Sequence, residues 1–97
     1  MPIPIAEMEK KIVNERVYIV LQNLSDRAIR WKDGGDINHR IVAMGYLAES
    51  GTRSIKDGNM GISKDSTFSD LKRYNPNDYA LTIGFLYTFV QLGVYSP

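Results

Sequence analysis

The chain contains no cysteine and only one histidine among its 97 residues. The absence of cysteine excludes disulfides, thiolate metal sites and a cysteine nucleophile, and it fits a reducing compartment. A zinc site built on His39 would need carboxylates alone as its other ligands. We therefore expect no metal site, and a structural or merely exposed role is favoured for His39.

The sequence also lacks a strong charge of one sign and a long apolar run. Twelve basic and eleven acidic residues leave a net charge of +1, whereas proteins that neutralise phosphates carry a larger basic excess. The longest apolar stretch, residues 83–90, is far shorter than the ~20 residues of a membrane-spanning helix. Residues 1–4 do not resemble a secretory signal. We expect a cytoplasmic protein that does not span a membrane.

No motif in the sequence names a reaction. Residues 57–65 alternate oxygen-bearing side chains as a calcium loop does, but Ile62, Lys64 and Phe68 stand where an EF-hand needs glycine, an aliphatic residue and glutamate. Residues 51–54 could cradle an anion, but they lack a Walker pattern, so a helix end is favoured. No serine lies in a Gly-x-Ser-x-Gly elbow. We predict no enzymatic activity and no cofactor.

The composition is that of an ordinary globular protein, with 43% hydrophobic and 24% charged residues. The length predicts a single domain over residues 1–97. So short a chain buries only about 60–65% of the surface that its unfolded form exposes. A partner or a second copy would therefore help it considerably.

Residues 5–31 are predicted to form one long helix. Val17, Leu21 and Leu24 belong to an apolar stripe with the spacing of 3.6 residues per turn, and the stripe continues in both directions. Residues 16–21 are also rich in β-branched and aromatic types, which leaves a strand as the alternative.

A glycine-containing break precedes a second predicted helix at residues 37–49, with a continuation to Lys56 as the alternative. The connection between the two helices is short, so we expect an antiparallel hairpin. Residues 57–66 are turn-formers and predict a loop. The fold class predicted for the whole chain is all-α, a small bundle of three to four helices that begins with this antiparallel helical hairpin.

Two further helices are predicted after the loop. Thr67 and Asp70 have the spacing of a capping box, which predicts a short helix over residues 68–74. Asn75-Pro76 ends that helix. Asn77 is then expected to cap a last helix over residues 78–95.

The last helix is apolar on nearly all sides, because no charged residue stands between Tyr79 and Tyr95. Such a helix is normally buried all round. Either it is the central helix of the fold or one of its faces meets another chain. Phe85, Phe89 and Leu92 are the predicted interface of a homo-oligomer.

A second candidate surface lies at the predicted end of the hairpin. Tryptophan and arginine are the residue types most enriched in binding hot spots. For Trp31, the alternative to a binding role is a core position that closes the end of the hairpin. The predicted binding residues are Arg27, Arg30, Trp31, Lys32 and Arg40.

These features favour a non-enzymatic, protein-binding or self-assembling helical module. Phage or mobile-element regulators, inhibitors and immunity-type proteins offer an analogy by size and composition alone. One alternative is a nucleic-acid-binding regulator that reads DNA with residues 68–74. A third hypothesis is a binder of a small anionic ligand at the positive hairpin end.

Overall fold

The computed structural model describes residues 3–30, 62–91, 93 and 95–97, with the side chains of residues 25 and 27–30 left out. The regular elements of this part are all helices, which confirms the predicted small all-α bundle. The second helix of the predicted hairpin lies outside the described residues, and so does the hairpin. The helices are α1 (Ile5–Ile12), α2 (Val17–Arg30), α3 (Phe68–Tyr74) and α4 (Pro76–Gln91).

The prediction of one helix over residues 5–31 is wrong, because the chain leaves the helix after Ile12 and resumes it at Val17. Ile12 and Val17 are five residues apart. On a continuous helix with about 100° per residue, that step would rotate Val17 about 140° away from Ile12. The break allows both side chains to be fully buried. From Val17 onward the segment considered as a possible strand is helical, as preferred.

The turn between α1 and α2 pairs with the segment that precedes α3. The backbone N–H of Val17 donates to the carbonyl of Ser66 at 3.1 Å, and the N–H of Phe68 donates to the carbonyl of Glu15 at 3.0 Å. Val17 and Phe68 are the first residues of α2 and α3, whose N–H groups have no partner within their own helices. The two helix starts therefore satisfy each other and lie side by side.

The third predicted helix is confirmed at residues 68–74. Thr67 Oγ1 accepts the backbone N–H of Asp70 at 3.2 Å, and Asp70 Oδ2 accepts the N–H of Thr67 at 3.0 Å. This is the reciprocal capping box that the spacing predicted.

The last helix begins earlier and ends earlier than the predicted range of 78–95. Pro76 is its first residue, a position where the missing N–H costs nothing, so Asn75 and not Asn77 precedes the helix. At the other end Gly93 has a φ of +73°, and its N–H donates to the carbonyl of Val90 at 3.0 Å. This left-handed turn ends the helix and reverses the chain.

The core is built from all four helices. α4 buries one face in this core, whereas its opposite face is exposed, so the described residues do not enclose the helix on all sides. None of the helices within the described ranges combines the length and apolar character needed to span a bilayer. The buried apolar residues are Met8, Ile12, Val17, Val20, Leu21, Leu24, Ile62, Phe68, Leu71, Ile83, Leu86 and Phe89.

Candidate interaction surfaces

The predicted positive end of the hairpin stays a prediction. The backbones of Arg27 and Arg30 lie in the last turn of α2, but their side chains are outside the described part. Trp31, Lys32 and Arg40 lie outside the described residues altogether, as do His39 and residues 51–54.

The predicted oligomer interface needs a correction at Phe89. This residue is 1% exposed and belongs to the core of the single chain, so it has no surface to offer a partner. It follows Ile83 and Leu86 at steps of three, which places all three on the inner face of α4. Phe85 is half-buried and packs against the core from the side. Leu92 lies outside the described residues.

The exposed side of α4 is a continuous stripe that we call the outer face. Its residues follow the three-four spacing of one helix face and carry no charge. Leu81 is 58% exposed. The outer face comprises Asn77, Ala80, Leu81, Gly84, Thr88 and Gln91.

Two features leave the middle of this uncharged face, around Leu81 and Gly84, open to close approach. The Thr88 hydroxyl donates to the Gly84 carbonyl at 3.0 Å, so this polar group is already satisfied within the helix. Outside its own stretch of helix backbone, a Cβ atom placed on Gly84 would have none of the described residues within 4 Å. The space above Gly84 is therefore free for a side chain from outside.

A cavity of about 330 Å³ lies between α2 and the segment that follows Gly93. The glycine turn places Tyr95 in its wall, and sequence reasoning missed this because no local pattern links the tail to α2. Its lining combines an apolar floor with a few polar groups at the rim. The lining residues are Glu15, Arg16, Ile19, Val20, Asn23, Leu24 and Tyr95.

Two tyrosine–carboxylate pairs connect the N-terminal part of the chain to the two ends of α4. The Tyr79 hydroxyl donates to Glu9 Oε2 at 2.6 Å, and the Tyr95 hydroxyl donates to Glu15 Oε2 at 3.4 Å. Burial, together with the neighbouring carboxylate, raises the pKa of both tyrosines well above the ordinary value of 10.0. A phenolate beside a carboxylate would bring two negative charges together, so both hydroxyls stay protonated at neutral pH.

The cations near α3 lie over aromatic rings. Lys72 Nζ lies 5.4 Å from the ring centre of Tyr79, and the Arg73 guanidinium lies 5.4 Å from the ring of its neighbour Tyr74. Phe68 and Leu71 point into the core, as the argument against α3 as a DNA-reading helix expected. The outward surface of this two-turn helix is basic and aromatic, since Lys72, Arg73 and Tyr74 are all exposed.

Within the described ranges, no three histidine, aspartate or glutamate side chains are placed to share a metal ion. Comparisons of the chain with protein-family models, curated proteins and solved structures find no match. Function must therefore be argued from the surfaces themselves.

Proposed function

We propose that the protein is a non-enzymatic binding module that associates with a second copy of itself through the outer face of α4. The observation that carries this proposal is Leu81, a large apolar side chain exposed within a face that has no charge. In a two-fold contact the same surface is used by both copies. A charged outer face would therefore repel its own copy, and this face avoids that repulsion.

The open space at Gly84 supports an antiparallel arrangement. With the two-fold axis between Leu81 and Gly84, the leucine of each copy packs over the glycine of the other. A glycine at the contact lets the two helix axes approach closely, because no side chain separates them. The satisfied hydroxyl of Thr88 carries no desolvation penalty in such a contact.

The size of the outer face determines how strongly two copies are expected to associate. A helix of 16 residues is about 24 Å long, so its outer face alone is smaller than the ~800 Å² per partner of a standard interface. We expect reversible association in the micromolar range rather than a permanent dimer.

The first prediction is that Leu81→Lys abolishes association without unfolding the chain. The substitution places a charge on the contact, while an exposed side chain contributes little to the folded monomer. In sedimentation equilibrium, the mean mass of the wild type should rise with concentration from 11.0 kDa towards twice that value. The variant should stay at 11.0 kDa.

Ile5→Lys is the matched control, because Ile5 is also an exposed apolar residue, at 41%, but lies outside the outer face. It should associate like the wild type. A wild type that stays monomeric up to millimolar concentration would contradict the proposal, and so would equal association of all three proteins. Added salt should leave the association nearly unchanged, whereas binding to a phosphate backbone would weaken steeply.

A further inference from the structure

The cavity between α2 and the C-terminal segment has the size and lining of a small-molecule site. Its volume of about 330 Å³ lies within the ~300–1,000 Å³ of such sites. Val20 and Leu24 form a buried apolar floor, while Ile19 at the edge remains 48% exposed. A ligand with an apolar body would remove this part of Ile19 from water, which is favourable.

The charges at the rim determine which ligand fits. Arg16 Nη1 lies 3.7 Å from Asp65 Oδ1, so a carboxylate beside the cavity partly offsets this cation. Glu15 accepts a long hydrogen bond of 3.4 Å from Tyr95 and no ion pair from the described residues. Of the two charged side chains that line the cavity, Glu15 therefore lacks an opposite charge in the described part of the chain, and a cationic ligand would neutralise it. Asn23 adds an uncharged amide on the rim.

We propose that this cavity binds a small primary amine with a short apolar body. The ammonium group lies against the Glu15 carboxylate, and the hydrocarbon chain covers Ile19, Val20 and Leu24. The aromatic ring of Tyr95 contributes as well, since aromatic faces attract cations. This site is separate from the outer face of α4 and does not depend on association of two copies.

The combination of groups disfavours the other simple ligands. An alcohol of the same length would gain the apolar contacts but no ion pair. A carboxylate would meet Glu15 with like charge, and the attraction of Arg16 is already shared with Asp65. The order of affinity expected from the rim is therefore amine, then alcohol, then carboxylate.

The second prediction uses hexylamine, hexanol and hexanoate as probes of equal chain length. Each is titrated into the ¹⁵N-labelled full chain while amide chemical shifts are followed by NMR. Hexylamine should give saturable shifts centred on residues 15–24 and 95, and it should bind more tightly than hexanol. Glu15→Gln should weaken hexylamine binding about fivefold, the value of one partly exposed ion pair, and leave hexanol unchanged.

Two further variants keep the test decisive. Glu9→Gln alters the other tyrosine–carboxylate pair, away from the cavity, and should leave hexylamine binding unchanged. Asn23→Asp adds a carboxylate at the rim and should tighten hexylamine binding. This variant leaves the Glu15–Tyr95 hydrogen bond in place, so it tests the proposal even if Glu15→Gln disturbs the C-terminal segment. Equal binding of hexylamine and hexanol, tighter binding of hexanoate, or shifts centred elsewhere would each overturn the proposal. Leu81→Lys should bind hexylamine normally, so the two proposals fail independently.

Discussion

At the scale of single residues, packing separates two phenylalanines of identical chemistry on α4. Phe85 and Phe89 are one helical turn apart, yet only Phe89 is fully enclosed. Because α4 lacks charged residues along most of its length, no polar side indicated which way the helix faces. The orientation comes from what packs against the helix, and for that reason the sequence did not indicate that Phe89 lies in the core.

The third prediction tests this division on α4. Phe89→Ala should lower the free energy of unfolding by about 3–5 kcal/mol, because it leaves a cavity in the core. Small domains have a total of only about 5–15 kcal/mol, so this variant should be close to unfolding. Leu81→Ala should change stability by less than about 0.5 kcal/mol when measured on the monomer. Urea denaturation of dilute samples provides both values, and a mild effect of Phe89→Ala would argue against its place in the core.

At the scale of elements, the sequence predicted features that depend on neighbouring residues but not features that depend on distant ones. α3 was located from Thr67 and Asp70, which lie three residues apart and cap the helix by themselves. The break between α1 and α2 depends instead on pairing with residues 66–69, about fifty positions further along the chain. Only the step of five between Ile12 and Val17 hinted at it. The predicted hairpin end at residues 31–40 remains a prediction.

The fourth prediction concerns the start of α3. Thr67→Ala removes the side-chain acceptor for the N–H of Asp70 and should cost about 1 kcal/mol of stability. Thr67→Ser keeps the hydroxyl and should cost clearly less. Thermal or urea unfolding of the two variants measures the difference. Equal losses for alanine and serine would mean that the threonine methyl, and not the cap, matters at this position.

At the scale of the whole molecule, the tyrosine–carboxylate pairs tie distant parts of the chain together. Glu9 and Tyr79 are 70 positions apart, and Glu15 and Tyr95 are 80 positions apart. No periodic pattern in a single sequence reports such a pair, since each depends on the finished packing. The pairs hold α1 and the following turn against both ends of α4.

The fifth prediction is a loss of stability at alkaline pH that these two tyrosines cause. Their pKa is raised in the folded chain, so the stability they contribute is fully present below about pH 10 and is lost as the pH rises towards the folded values. In that window the unfolded chain releases phenolic protons that the folded chain keeps. Each tyrosine lowers the unfolding free energy by at most about 1.4 kcal/mol per pH unit, and by less because both are only half-buried and solvent screens them.

The measurement is urea denaturation from about pH 8 to about pH 11, the range around the tyrosine titration. Lysines also titrate there, so the informative quantity is the difference in slope between the wild type and the double variant Tyr79→Phe with Tyr95→Phe. The double variant should lose stability less steeply above pH 10, and the slope of each single variant should lie between those of the wild type and the double variant.

Tyr74→Phe, at an exposed position, controls for the general effect of removing a hydroxyl and should change stability at neutral pH by less than about 0.5 kcal/mol. Identical slopes for the wild type and the double variant would show that the two pairs do not hold the helices together, because a proton kept only by the folded state must appear in the pH dependence of its stability.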